Sequence, residues 1–158
     1  MIMFAMLLMV VGAYAQEGKN IYNKYSGGKG VTAVYISPSM FKLIGKLPDL
    51  EVETSEGEKM NLAPLINSFE GFYMLEITDP SVLASVRKDV DAMIGKGHYE
   101  LLMEVKEEGT NVNIYTVGND KIIESFVFMA YEGDSVQFIS IDGAMNRSDI
   151  ENLIVGAM

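Results

Sequence analysis

Apolar and polar positions are patterned most clearly between Lys121 and Asp142, where Lys-Ile-Ile-Glu-Ser-Phe-Val-Phe-Met-Ala-Tyr is followed by Glu-Gly-Asp and then Ser-Val-Gln-Phe-Ile-Ser-Ile-Asp. The run is rich in β-branched and aromatic residues and is broken once, at Gly133-Asp134, where a glycine can take the positive φ of a tight turn. This predicts two antiparallel strands joined as a hairpin. Alternation puts Ile122, Phe126, Phe128 and Ala130 on one face with Ile139 and Ile141, and Val127, Met129 and Tyr131 on the other with Val136 and Phe138. Both faces are apolar, so the hairpin belongs in the middle of a sheet whose other strands and helices cover it.

The same reading carries along the chain. Ile21, Tyr22 and Tyr25 predict a short helix over Gly18 to Tyr25, stopped by Ser26-Gly27-Gly28. Val31 to Ser37 reads as a strand, and Ser37-Pro38 as a cap and first turn for a helix with Met40, Phe41, Leu43, Ile44 and Leu47 on one stripe, ended by Pro48. Asp49 to Lys59 is acidic and reads as solvated surface; Leu62, Leu65, Ile66 and Phe69 suggest a short helix. Phe72 to Thr78 is a second core strand, and Asp79-Pro80 opens the longest helix, to Ile94, which buries Val82, Leu83, Val86, Val90, Met93 and Ile94 and is ended by Gly95 and Gly97. Tyr99 to Lys106 alternates, with Tyr99, Leu101, Met103 and Val105 facing one way and Glu100, Glu104 and Lys106 the other. Turns at Glu108 to Asn111 and Gly118 to Asp120 flank a strand over Val112 to Val117. Ser148-Asp149-Ile150-Glu151 has the form of a capping box for a last helix that carries Leu153, Ile154 and Met158. The expected class is α+β: a mostly antiparallel sheet of about six strands ending in a four-strand meander, with helices packed mainly on one face.

Composition changes this picture in three ways. A chain of 158 residues, 49% hydrophobic and 22% charged, has the size and apolar content of one ordinary domain. A net charge of -10 opposes binding to nucleic acid or an anionic membrane. The uncharged, apolar residues 1–15 end in Ala13-Tyr14-Ala15, a small-x-small cleavage pattern, so they are read as a signal peptide and residues 16–158 as the exported domain, periplasmic or secreted, with no stable membrane anchor after cleavage. The basic segment that ordinarily precedes such a run is missing. There is no cysteine, which removes disulfides, thiolate chemistry and lipidation at a mature N-terminal cysteine.

Several segments resemble a family of small exported bacterial proteins known as domain of unknown function 4252: Gly30 to Ser37 followed by Met40-Phe41, Tyr99 to Val105, Ile123-Glu124, and Phe138 to Gly143 leading into the last helix. The resemblance covers nearly all of residues 16–158. It implies export from a Gram-negative bacterium and an α+β fold, and it supplies no catalytic or binding residues.

Candidate chemistry is sparse. His98 is the single histidine and there is no cysteine, so a zinc site lacks its ligands; a Ser-His-acid triad would have to recruit His98 and has no Gly-x-Ser-x-Gly elbow, and no cofactor or metal is expected. Gly27-Gly28-Lys29-Gly30 precedes a strand instead of opening a helix, which is wrong for a phosphate loop. The acids of Asp49 to Lys59 lack calcium-loop spacing. Glu124 and Asp142 are acids within or at the end of the central hairpin, but alternation points them to opposite faces. What remains is the second sheet face, where Tyr115, Met129, Tyr131 and Phe138 lie together and Glu100, Glu104, Ser125 and Ser140 surround them; left open, it would be a partner surface. The expectation is an exported, non-enzymatic binding or protein-interaction module using that face, its partner a protein or small ligand of the cell envelope or a second copy of the chain. A carboxylate-based hydrolase acting on glycans and a periplasmic component of an envelope stress-response system are the alternatives.

Overall fold

Local signals and tertiary packing agree at most element boundaries. The computed structural model describes residues 16–46, 51–53, 57, 59–96 and 98–157. In order these form α1 (Glu17–Tyr25), β1 (Val31–Ile36), α2 (Pro38–Ile44), β2 (Glu51–Glu53), β3 (Lys59–Asn61), α3 (Ala63–Asn67), β4 (Phe69–Ile77), α4 (Pro80–Ile94), β5 (Glu100–Glu107), β6 (Thr110–Gly118), β7 (Ile122–Glu132), β8 (Ser135–Asn146) and α5 (Arg147–Ala157). The cap-then-proline device works twice. The Ser37 hydroxyl accepts from the Met40 N–H, and the Asp79 carboxylate accepts from the Ser81 and Val82 N–H groups. Gly133 takes φ 55° in the two-residue turn between β7 and β8, as the hairpin requires.

Six strands form one antiparallel sheet in the order β1-β4-β8-β7-β6-β5, so the fold is α+β and β5 to β8 run as the four-strand meander the pattern predicts. The last strand, β8, lies between β7 and β4 and joins the meander to the N-terminal half. The hairpin register is the one alternation implies: Met129 opposes Phe138, and Phe128 opposes Ile139. β2, in the acidic stretch that reads as solvated surface, pairs with β3, which starts at its end, as a small separate ribbon; residues 49–50, 54–56 and 58 of that stretch, with Leu47 and Pro48, lie outside the described residues.

α1 and α4 pack on one face and enclose the main core, which joins Ile21 and Tyr25 of α1 and Val86, Val90 and Met93 of α4 to Leu75, Ile77, Val127, Met129, Val136 and Phe138 of the sheet. Complete burial of a side chain such as Leu75 or Phe138 contributes about 2 to 3 kcal/mol. A second, smaller cluster joins Leu65 of α3 and Ile150 of α5 to Ile123 and Met145, with Phe69, Phe126 and Ile141 against it. It sits where the β7–β8 register shifts between Ile123 and Ser125. Phe41 of α2 meets Phe69 edge to face there.

Two local expectations need correction. The last helix starts before the capping-box serine: it is Asn146 whose side chain accepts from the Ser148 N–H, so Ser148 lies inside the first turn. A register shift between Leu101 and Met103 breaks the alternation of β5, placing Leu101 beside Tyr115 and Met103 beside Ile114, on opposite faces, and the strand is exposed on both sides throughout. Residues 1–15, Gly97, Met158 and the side chains of Leu153 and Ile154 lie outside what is described.

Candidate functional site

The structure buries the expected partner surface. Met129 is 1% and Phe138 0% exposed, both inside the main core. Tyr131 and Tyr115 are partly buried at its margin, and the Arg87 guanidinium lies 4.7 Å above the Tyr131 ring. The intended polar surround is dispersed as well. Ser125 and Ser140 are buried, whereas Glu100 opposes Thr116 and reaches Arg147 at 3.5 Å. The reason is that both faces of the hairpin are apolar and α1 and α4 dock on this one. Their approach is close: a β-carbon on Gly18 of α1 would overlap the Ser140 side chain.

The other face is therefore the open one. Register carries a single row of apolar side chains across all six strands, from Val34 through Met74, Ile139, Phe128 and Ile114 to Met103. Its ends, Val34 and Met103, are 37% and 47% exposed, and the four residues between them are half-buried. Five interstrand spacings make it about 24 Å long. One flank is polar over β1, β4 and β8, at Thr32, Glu76 and Gln137, and stays apolar over β7, β6 and β5, at Ala130, Val112 and Val105; the other meets the small cluster at Phe126 and Ile141. Strand alternation made both faces legible, but no residue in the hairpin marks which one the helices choose.

Among the acids whose burial is described, Asp142 is the buried one. Its carboxylate accepts from the Ser125 hydroxyl at 3.0 Å and lies 3.5 Å from that of Ser140. Burial pushes its pKa up to about 6, against the pull of those hydroxyls. Nearby, burial raises the Tyr73 phenol to about 12 and raises that of Tyr99, whose hydroxyl donates to Glu17 at 3.0 Å. Glu124 does not join this cluster: Asp142 lies opposite Ser125, and Glu124 falls in the irregular step of β7.

A surface groove of about 290 Å³ between α1 and α4 also gathers charge, lined by Glu17, Lys24, Asp89 and Lys96 among others. These groups are already matched to one another, Lys24 to Asp89 at 2.6 Å and Lys96 to Glu17 at 2.9 Å, with the Tyr25 hydroxyl donating to Asp89. They fasten α1 to the rest of the molecule. His98 is exposed at the surface, and no group of three or more His, Cys, Asp or Glu side chains suited to a metal occurs among the described residues. No described helix is long and apolar enough to cross a membrane.

Neither a curated protein nor a solved structure matches the chain. The family described as Domain of unknown function (DUF4252) matches residues 25–153, from the end of α1 into α5 and through every strand of the main sheet. The chain belongs to the DUF4252 family.

Proposed function

We propose that the chain is an exported, non-enzymatic protein-interaction module, and that an apolar surface of a partner in the cell envelope docks on the open face of its sheet. The observation that carries this reading is the row from Val34 to Met103, one apolar side chain per strand with no break. A long, shallow apolar stripe with a partly polar flank suits another protein better than a small ligand, which ordinarily needs a concave pocket. Methionine at two of the six positions adds a side chain that adapts to an irregular partner. Export rests on the apolar residues 1–15 and their Ala13-Tyr14-Ala15 ending. The hydrolase alternative draws on the chain's many acids; of the two in the central hairpin, Glu124 falls in the irregular step of β7 and the Asp142 carboxylate is buried and engaged by Ser125.

The test uses Phe128→Ser with Ile139→Ser, two neighbours at the middle of the row. Affinity capture from native envelope extract should lose its specific partner with the double variant while the circular dichroism spectrum is unchanged. Equal capture by the folded variant would overturn the reading.

A further inference from the structure

β5 is an outer strand of the sheet, and its eight residues are exposed. Such an edge presents unpaired backbone N–H and C=O groups, and which residues present them can be worked out. Glu107 and Thr110 close a two-residue turn, and the closing pair of such a turn is hydrogen-bonded. The Gly133 N–H donates to the Gly109 carbonyl across the β6–β7 junction at 3.0 Å, so odd residues at that end bond toward β7 and even residues of β6 bond toward β5. Met103, Val105 and Glu107 therefore spend their backbone groups on β6. Glu104 and Lys106 turn theirs outward.

Antiparallel self-pairing must match outward residues with outward residues, which limits the two-fold axis within the regular stretch to a few positions. Centred on Glu104 it sets that acid against itself and draws in the bulged Leu102; centred on Lys106 it sets two lysines together. Centred on Val105 it places Glu104 opposite Lys106 twice, Val105 opposite Val105, and Met103 against the Glu107 stem. Opposite charges directly across a strand pair attract and like charges repel. Glu104 and Lys106 already share one side of β5, 3.0 Å apart, so this register builds an alternating quartet of charges. An axis normal to the sheet also keeps the open apolar faces of both copies on the same side.

We propose that β5 pairs with β5 of a second copy of this chain, antiparallel and centred on Val105, to make one continuous twelve-stranded sheet. The pairing rests on backbone groups and on the charges of Glu104 and Lys106, and not on Phe128 and Ile139 at the middle of the docking row, although Met103 at the end of that row lies within the paired stretch. Its short regular stretch gives a small contact, and the dimer is weak and concentration-dependent.

Sedimentation of the purified chain over a concentration series tests it. The wild-type chain should pass from monomer to dimer as concentration rises. Glu104→Lys alone and Lys106→Glu alone should each remain monomeric, since each sets like charges across both pairs. Mixed in equal amounts, these two variants should form a heterodimer in which both pairs are again opposite in charge. Since the sequence has no cysteine, Val105→Cys should oxidise to a disulfide-linked dimer much faster than Glu104→Cys. A wild-type chain that stays monomeric to millimolar concentration would overturn the proposal. So would single variants that still dimerise, which would place self-association on another surface, or folded variants that fail to associate on mixing.

Discussion

Asp142 is the residue at which burial and ionisation conflict most. Burial under α1 pushes its carboxyl up from the ordinary 3.8 to about 6, since it disfavours the charge more than the Ser125 hydroxyl supports it. Between those values the folded chain binds more protons than the unfolded one, so this group lowers stability as pH rises through that window and keeps it low above it. A shift of that size corresponds to up to about 3 kcal/mol. Asp142→Asn should therefore raise the urea midpoint at pH 8, change it little at pH 4, and flatten the profile between. Greater loss of stability at pH 8 than at pH 4 would mean that the charge is stabilised in a way the geometry does not show.

At the scale of elements, the docking of α1 is governed by the absence of a side chain. Gly18 lets the helix lie directly on Ser140 and Phe138, and the ion pairs to Asp89 and Lys96 fasten its two ends. Gly18→Ala improves local helix propensity slightly but forces the helix outward, for a net cost of roughly 1 to 3 kcal/mol. Hydrogen exchange along α1 should accelerate more than in β6 or β7, and Ser140→Gly in the same chain should recover part of the loss. This contact also explains the limit of the sequence reading. The turn at Gly133, the caps at Ser37 and Asp79, the meander and the hairpin register were legible because each depends on neighbours in the chain. The covered side was not, because Phe128 and Met129 are equally apolar and point oppositely. Ser125 and Ser140 look like the rim of an open patch, yet they are small residues accommodating a helix. A glycine within the α1 pattern, which lets a helix sit directly on a strand, was the available signal. The bulge at Leu102 and the cap at Asn146 left no comparable trace, since an unbroken alternation and a well-formed capping box both read as sufficient.

For the whole molecule, the order of strands sets what the open face can be. The apolar row exists only because six separate segments share one register, and it passes from β1 to β5 without a polar interruption. No motif of contiguous residues encodes it, so the sequence suggests apolar strands without revealing that their side chains align. The uncovered face and the β5 edge meet at Met103 but depend on different residues, so Phe128→Ser should leave self-association unchanged while Lys106→Glu should leave partner capture unchanged. Either cross-effect, seen in folded variants, would show that they act as one.

Insertion of β8 between β7 and β4 has a consequence for how the chain assembles. The two strands of this seam are distant in the chain, Ile77 pairing with Val136 and Phe69 with Gly143, so their union carries a larger loop-closure cost than the adjacent hairpins of the meander. Pulse labelling during refolding should find amides of β6 and β7 shielded before those of β1 and β4. A nascent chain thus holds β4 with one unclaimed margin until residues near 143 appear, and during that interval Leu75 and Ile77 are open to association with neighbouring chains.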